Sequence, residues 1–335
     1  MTKPEPIIPT VLGKGTISAE SAEALFSGGL VAIRNWTVFE VTGPGAVACV
    51  QGVLTNDVEV HGEHSFTYGA VLTPKGMIIA DMWAARDRDR MLLYAPAAAS
   101  EALTATFAKF FPPRLAKVTD VSGSVVSLQL IGPEATSRLE EAEIELPEPG
   151  HLAEVVFDGR PCLVQMPIGQ APFVAQLHAS RSEAEPIIAA MEGAGFTVAD
   201  EDILELARIV SGWPRLGAEI DHKTLPQEVR FDEIHGVSYT KGCYTGQETV
   251  ARIHFRGHPN KELMGLTWEE DPSFTEIDIT QGQSPMGRVS SIAWLPQLDQ
   301  YVGLGIVKST VDVARPVTAA NASATITPLP FPIDD

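Results

Sequence analysis

Cysteine is scarce in this chain. There are three, Cys49, Cys162 and Cys243, far apart and with no C-x-x-C pair. That spacing encodes neither a zinc knuckle nor a dithiol redox site, and three thiolates fall short of the four that usually hold an iron–sulfur cluster. A sparse, odd count fits a reducing compartment. Positive charge is also short: 24 Lys and Arg stand against 43 Asp and Glu, a formal net charge of -19. A broad grip on nucleic-acid phosphate needs concentrated Lys and Arg, as does docking on anionic lipid. The charge therefore argues against DNA, against direct tRNA binding and against a membrane surface, while leaving room for a local basic pocket. Long apolar runs are absent too. No stretch approaches the ~20 apolar residues of a membrane span. Residues 1–10 have neither the apolar centre of a secretory signal nor the Arg-rich, acid-free character of a transit peptide. Together these absences point to the cytoplasm.

What is present describes an ordinary globular chain. Hydrophobic residues make up 44% and charged residues 20% of 335. That length exceeds what one core usually spans, so two or three packed units are expected. Ser18 opens a helix with Ala22, Leu25 and Phe26 on one face and Gly28-Gly29 at its end. Residues 30–33 and 37–41 read as strands, and Gly43-Pro44-Gly45 breaks the chain before a helix through Val47, Val50 and Leu54. Strands at 66–72, 76–84 and 91–94 follow, the first two joined by the turn Thr73-Pro74-Lys75-Gly76. Leu103, Phe107 and Phe110 mark one face of a helix over 97–111, stopped by Pro112-Pro113. A strand over 125–131, a short helix over 134–141, an acidic loop over 141–150 and a hairpin across Asp158-Gly159 come next. Helices over 183–192 and 202–210 follow, the second with Asp200 or Asp202 near its cap. This mixture predicts an α+β class. From Leu263 the pattern changes to short strands broken by Gly, Pro and Asp, the mark of a small β-barrel. The expected division is an N-terminal α+β piece over 1–125, a second over 126–257 and a barrel over 258–335.

The segment Lys241 to Arg252, KGCYTGQETVAR, carries the most chemistry. Gly242 and Gly246 flank a Cys-Tyr-Thr turn and permit close backbone approach to a ligand. Thr245 is placed to cap a helix starting at Gln247. Cys243 then sits just before a helix N-terminus and near Lys241, and both features favour a thiolate. A reactive or ligating thiol and a cysteine packed in a tight turn are equally compatible with composition alone. Cys49, between Val47 and Val50, and Cys162, in a strand, read as structural. His254 and His258 lie four apart, but Gly257 and Pro259 interrupt a helix there, so no metal pair is assigned.

The stretch K-G-C-Y-T-G-Q-E resembles the K-G-C-[FY]-x-G-Q-E signature of the YgfZ branch of the YgfZ/GcvT family, matching at Lys241, Gly242, Cys243, Tyr244, Gly246, Gln247 and Glu248. Gln51 to Val58 (QGVLTNDV), Leu225 to Phe231 (LPQEVRF) and Arg208 to Asp221 (RIVSGWPRLGAEID) resemble further family stretches in family order. The last is shared with the glycine-cleavage T-protein.

This resemblance implies a T-protein-like body of two α+β pieces around a central opening, followed by a β-barrel. It implies tetrahydrofolate in the opening. A pterin ring wants an aromatic wall and an acid or amide edge, which Trp213, Tyr244 and Gln247 are expected to supply, with Glu248 beside them; ordinary core packing is the other reading of Trp213. Arg208 is expected to hold the glutamate tail, or else to pair with Glu205. Aligning GMIIADM with the T-protein's acidic pair puts Ala80 on the first acid and Asp81 on the second. No acid falls near residues 173–175, where the transferase branch has one. These departures weigh against aminomethyl transfer, with Asp81 the one catalytic candidate left to it. The implied role is that of an accessory factor for iron–sulfur cluster assembly or repair, not a conventional enzyme, with iron–sulfur client or assembly proteins as partners and Cys243 and Lys241 as its thiol site. A folate-linked effect on tRNA-modifying iron–sulfur enzymes belongs to the same reading, and a folate-dependent aminomethyltransferase is the alternative.

Overall fold

The computed structural model describes residues 9–332. Two sheets, antiparallel except where Thr197–Ala199 pairs in parallel with Leu30–Ile33, face each other, each covered outside by helices, and a closed barrel packs beside them. The first sheet runs in the order Phe66–Leu72, Ile78–Asp87, Arg90–Pro96, Trp36–Thr42, Lys117–Asp120. The second runs Thr197–Ala199, Leu30–Ile33, Val125–Ile131, Ala175–Ser180, Arg160–Gln165, Leu152–Phe157. The architecture is α+β, as the mixture of hairpins and helices requires.

Side-chain alternation sets the layers. In Ile78–Asp87, Ala80, Met82 and Ala84 pack against Val50, Leu103 and Phe107 of the helices Ala46–Gln51 and Ser100–Phe110. Trp83 and Ala85 face inward, where Phe66, Tyr68 and Tyr94 meet Leu163 and Ile131 of the second sheet and Ile203 and Leu206 of the helix Glu201–Val210. On the far side, Val126, Leu128 and Leu130 pack under the helices Ala135–Glu141 and Ala184–Gly193.

The inner layer is not wholly apolar. Trp36 Nε1 donates to Gln176 Oε1 at 2.9 Å, Gln176 Nε2 to Gln165 Oε1 at 2.8 Å, and Gln165 Nε2 to the Tyr94 hydroxyl at 2.6 Å. His178, edge-on to Tyr94, has an unpartnered Nδ1, and burial pushes its pKa down to about 4. A connected polar chain of this kind satisfies most of its groups and fixes how the two sheets register.

The third sheet closes on itself. Its strands follow the ring Ser284–Leu295, Asp278–Gln281, Val317–Ala319, Ala322–Thr327, Lys261–Trp268, Gln300–Lys308 and back to Ser284–Leu295. Trp268 fills its centre, donating from Nε1 to the Ala319 carbonyl at 3.0 Å.

Several expectations need adjustment. The sequence pieces are interleaved rather than cut cleanly at residue 125: Thr10–Leu12 pairs in parallel with Ser284–Leu295 of the barrel, and Leu30–Ile33 pairs with Val125–Ile131 in the second sheet. Leu54 lies beyond the helix Ala46–Gln51, and Phe110 is 37% exposed. Burial on that second helix follows Leu103, Thr106 and Phe107, and Phe111, not Phe110, stacks on Phe107 at 4.9 Å. Asp200 rather than Asp202 caps its helix, accepting from the Asp202 and Ile203 amides. No described helix is long and apolar enough to cross a membrane.

Candidate functional site

The hairpin Phe66–Leu72/Ile78–Asp87 connects two places of interest. Its inward face lines a narrow cavity between the sheets, and its turn supports the K-G-C-Y-T-G-Q-E loop.

In the cavity, Tyr68 lies opposite Trp83 and Ala70 opposite Asp81. Trp83 stacks on Trp213, with ring centroids 5.7 Å apart and an angle of 12°; Tyr68 leans on Trp213 at 4.8 Å and Phe173 on Trp83 at 5.0 Å. Arg34, Trp36 and Arg215 complete the polar side. About 30 Å³ of room is left between these groups, which admits a water but not a ring. Asp81 is 5% exposed. The Tyr68 hydroxyl donates to its Oδ2 at 3.0 Å, while Oδ1 has no partner. Burial pushes the Asp81 carboxyl up to about 6, although the Tyr68 bond and the nearby arginines oppose the shift. A buried carboxylate oxygen without a protein partner can still accept from a donor that enters the cavity.

Arg208 also borders the cavity but is not available to a ligand. Its Nε and one terminal nitrogen donate to the Glu205 carboxylate at 2.8 and 2.7 Å. Its remaining donors go to the Trp213 carbonyl at 2.6 Å, Glu219 at 2.9 Å and Ser291 Oγ at 2.7 Å. All five guanidinium N–H groups are thereby used. Glu219 is fully buried and in turn accepts from Ser290 Oγ and Ser291 Oγ, both at 2.7 Å. The expectation that Arg208 holds a glutamate tail is therefore corrected: it ties the Glu201–Val210 helix to the barrel strand Ser284–Leu295.

The signature loop has its own logic. Lys241 Nζ donates to the carbonyls of Gln51, Leu54 and Asn56 at 2.8, 2.8 and 2.7 Å. Asn56 Nδ2 returns a bond to the His235 carbonyl, and Thr55 Oγ1 one to the Gly236 carbonyl, both at 2.6 Å. Two stretches far apart in sequence, QGVLTND and KGCYTGQE, are thus one structural unit. The ammonium faces carbonyls rather than the Cys243 thiol, which corrects the pairing expected of Lys241. Burial pushes the Lys241 amine down to about 8, against the pull of Asp57 and Glu59. Gly246, at φ 87°, presses on the hairpin turn: a Cβ there would lie 2.6 Å from the Thr73 carbonyl oxygen. It is also the N-cap of the helix Gln247–Arg256, in place of Thr245. The glycine thus serves packing rather than ligand approach.

Tyr244 is buried in the core, and its amide donates to Gln247 Oε1 at 3.0 Å. Glu248 is exposed in the first helical turn. Tyr244, Gln247 and Glu248 do not line the aromatic cavity, whereas Trp213 and Asp81 do. Cys243 is exposed, Cys49 half-buried and Cys162 buried, with burial pushing the Cys162 thiol up to about 11. His254 is held by Asp232 at 3.1 Å and stacks on Tyr239 at 3.6 Å. No His/Cys/Asp/Glu group that could hold a metal occurs among the described residues. The cavity members missing from the sequence reading include Arg34, Trp36, Tyr68, Trp83 and Arg215. Trp83 was within reach, two residues from Asp81 on one strand face; nothing in the sequence marks Arg34.

Comparison with known proteins gives a consistent picture. The family described as GCVT N-terminal domain matches residues 13–164. The tRNA-modifying protein YgfZ of Colwellia psychrerythraea is 27% identical over 255 residues, 76% of each chain. That of Edwardsiella ictaluri is 29% identical over 318 residues, 91% of this chain and 93% of the relative. The crystal structure of glycine cleavage system aminomethyltransferase T from Bartonella henselae superposes with a TM-score of 0.79 at 18% identity, covering 93% of this chain and 88% of that one. At that identity the likeness shows the fold alone.

Proposed function

The chain belongs to the YgfZ/GcvT family, and from that premise we propose that it is a cytoplasmic, tetrahydrofolate-binding accessory protein for iron–sulfur cluster assembly or repair. Its clients on this reading include tRNA-modifying iron–sulfur enzymes, the kind of process for which its relatives are named. The observation that carries the folate part is the free Oδ1 of Asp81, buried among Trp83, Trp213 and Tyr68. A pterin edge offers N–H donors to such an oxygen and a flat face to such rings. When bound, tetrahydrofolate supplies a carrier for one-carbon units. The protein's part is to stack the ring, meet its edge with Asp81 and exclude water. Because so little room is left, the rings must part on binding.

The thiol part rests on Cys243, exposed on a loop that Lys241 anchors through three carbonyls. A thiol presented this way is open to a partner protein. The test is complementation of a deletion strain, read through an iron–sulfur enzyme's activity. Wild type is expected to restore activity and Cys243→Ala to fail. Equal rescue by both removes the thiol from the role and leaves the folate cavity. If deletion causes no defect, aminomethyl or one-carbon transfer becomes the better reading; a carboxyl at Asp81 with a pKa of about 6 suits proton transfer.

Asp81→Asn separates binding from stability. Ligand affinity is expected to fall roughly 10-fold or more, as the acceptor for the ring edge loses its charge. The ligand-free protein, by contrast, is expected to gain about 1–3 kcal/mol at pH 7, because a buried carboxylate with one oxygen unpaired is removed. The folded pKa of Asp81, about 6, lies above its ordinary 3.8, so the folded state holds the extra proton and wild type loses stability as pH rises through that window. The gain from Asp81→Asn should therefore vanish as pH is lowered from 7 towards 4. Urea unfolding at both pH values checks it, and an unchanged gain at pH 4 would show that the carboxylate is not the cause.

A further inference from the structure

The helix Gln247–Arg256 buries Val250 and turns another face outward. Glu248, Arg252, Phe255 and Arg256 recur on that face at helical spacing, all four exposed. Phe255 is 67% exposed, yet its ring is not loose. It meets His254 edge-on at 4.8 Å and Tyr239 at 5.8 Å. Those two rings stack on each other, and Asp232 binds both, accepting from the Tyr239 hydroxyl and pairing with His254 Nδ1. Asp232 is thereby spent. Neither Arg252 nor Arg256 makes a side-chain hydrogen bond or an ion pair among the described residues, although the chain carries 43 acids against 24 Lys and Arg. A lone exposed apolar residue is ordinary. A ring fixed in place on one helix face with two uncommitted guanidinium groups is the composition of an interface centre, where aromatic residues and arginine carry much of the energy.

We infer that this face is where the protein docks its iron–sulfur partner, through an apolar socket on the partner that takes Phe255 and carboxylates beside it that take Arg252 and Arg256. The charge decides the complement: cations without counter-charges of their own call for acids on the other side. A ring already held in place loses little freedom when it is buried. Its location agrees. The helix begins straight after the signature loop, and its 10 residues span about 15 Å. A standard interface of about 800 Å² a side therefore covers Phe255 and the exposed Cys243 loop together. Two arginines are too few to grip a phosphate backbone on so acidic a chain. This inference rests on the proposed function, which it deepens by naming the docking surface and the partner's chemistry.

Competition in cells tests this without the partner being identified. Cys243→Ala, overproduced beside wild type at native dosage, is expected to occupy the partner without acting and so to lower iron–sulfur enzyme activity. Adding Phe255→Ala, or Arg252→Glu with Arg256→Glu, to that same chain should relieve the inhibition, since losing an interface anchor weakens a complex roughly 10–100-fold. In the deletion strain, Phe255→Ala alone should fail at native dosage and recover when overproduced, by mass action, whereas Cys243→Ala fails at both. A Cys243→Ala chain that neither rescues nor inhibits, inhibition that survives the added substitutions, rescue by Phe255→Ala at native dosage, or its failure at both dosages would overturn the inference and leave the proposed function standing. Purified wild type that retards bulk tRNA in a gel, with the retardation lost in Arg252→Glu/Arg256→Glu, would overturn it by assigning the face to RNA. If Cys243→Ala itself rescues, the thiol role falls, and the dosage behaviour of Phe255→Ala still decides the docking face. If wild type restores nothing, both fall.

Discussion

An Arg208→Met variant is expected to lose about 3–5 kcal/mol of stability at neutral pH, because breaking a buried ion network strands charges that its assembly had balanced. Arg208 is 4% exposed, and its guanidinium is the counter-charge for two buried carboxylates, Glu205 and Glu219. Methionine fills much of the volume, so the loss reports charge and hydrogen bonding rather than a cavity. Arg208→Lys should recover little, since one ammonium cannot reach a carboxylate on each side, a backbone carbonyl and a serine at once. The pH dependence is specific. Burial alone would raise the Glu205 carboxyl, but Arg208 holds it below its ordinary 4.5. Its contribution to wild-type stability is thus present above that value and lost as pH falls through the depressed one. In the variant the stranded carboxylates are relieved by protonation, so the deficit should narrow as pH falls below about 5. Urea unfolding across pH 4–7 measures it. A loss under about 1 kcal/mol, or one independent of pH, would mean that the network is not what joins helix to barrel.

The same network shows what a sequence yields and what it withholds. The RIVSGWPRLGAEID stretch stood out as a unit, and its Arg, Trp and Glu do meet: Arg208 donates to both Glu219 and the Trp213 carbonyl. Whether that Arg faced a ligand or two carboxylates was not legible, because the choice depends on Ser290 and Ser291 in a barrel strand some eighty residues away. Local elements with clear stops were legible: Ser18 and Asp200 cap helices, and Thr73 to Gly76 turns a hairpin. The strands Ala175–Ser180 and Thr197–Ala199 were not, being short and defined by neighbours distant in sequence. Of the site, Asp81 and Trp213 follow from the family resemblance, while nothing in the sequence marks Arg34. The signature itself was read as a ligand loop. Its glycine, lysine and glutamine turn out to hold the loop against QGVLTND and the hairpin turn, leaving Cys243 as an exposed thiol.

Lys241→Met is expected to cost on the order of 3 kcal/mol and to abolish rescue of iron–sulfur enzyme activity as completely as Cys243→Ala. Three carbonyls lose a charged donor at once, each a bond of about 1–3 kcal/mol that does not simply add. The loop presenting Cys243 loses its anchor to residues 51–56 with them. Lys241→Arg should not restore it, since a planar fork cannot converge on three carbonyls gathered around one nitrogen. The pH dependence distinguishes this arrangement from a lysine paired with the thiolate. The folded pKa of Lys241, about 8, lies below its ordinary 10.5. Between those values the unfolded chain binds more protons than the folded one, so this group's contribution to stability rises with pH. The deficit of Lys241→Met should therefore widen as pH goes from 8 towards 10.5. A thiolate partner would instead raise the folded pKa of the lysine, and the stabilisation from that pair would be lost as pH climbed through it. A deficit that narrows over this window would return Lys241 to Cys243, and make the signature a charged pair rather than a buttressed loop.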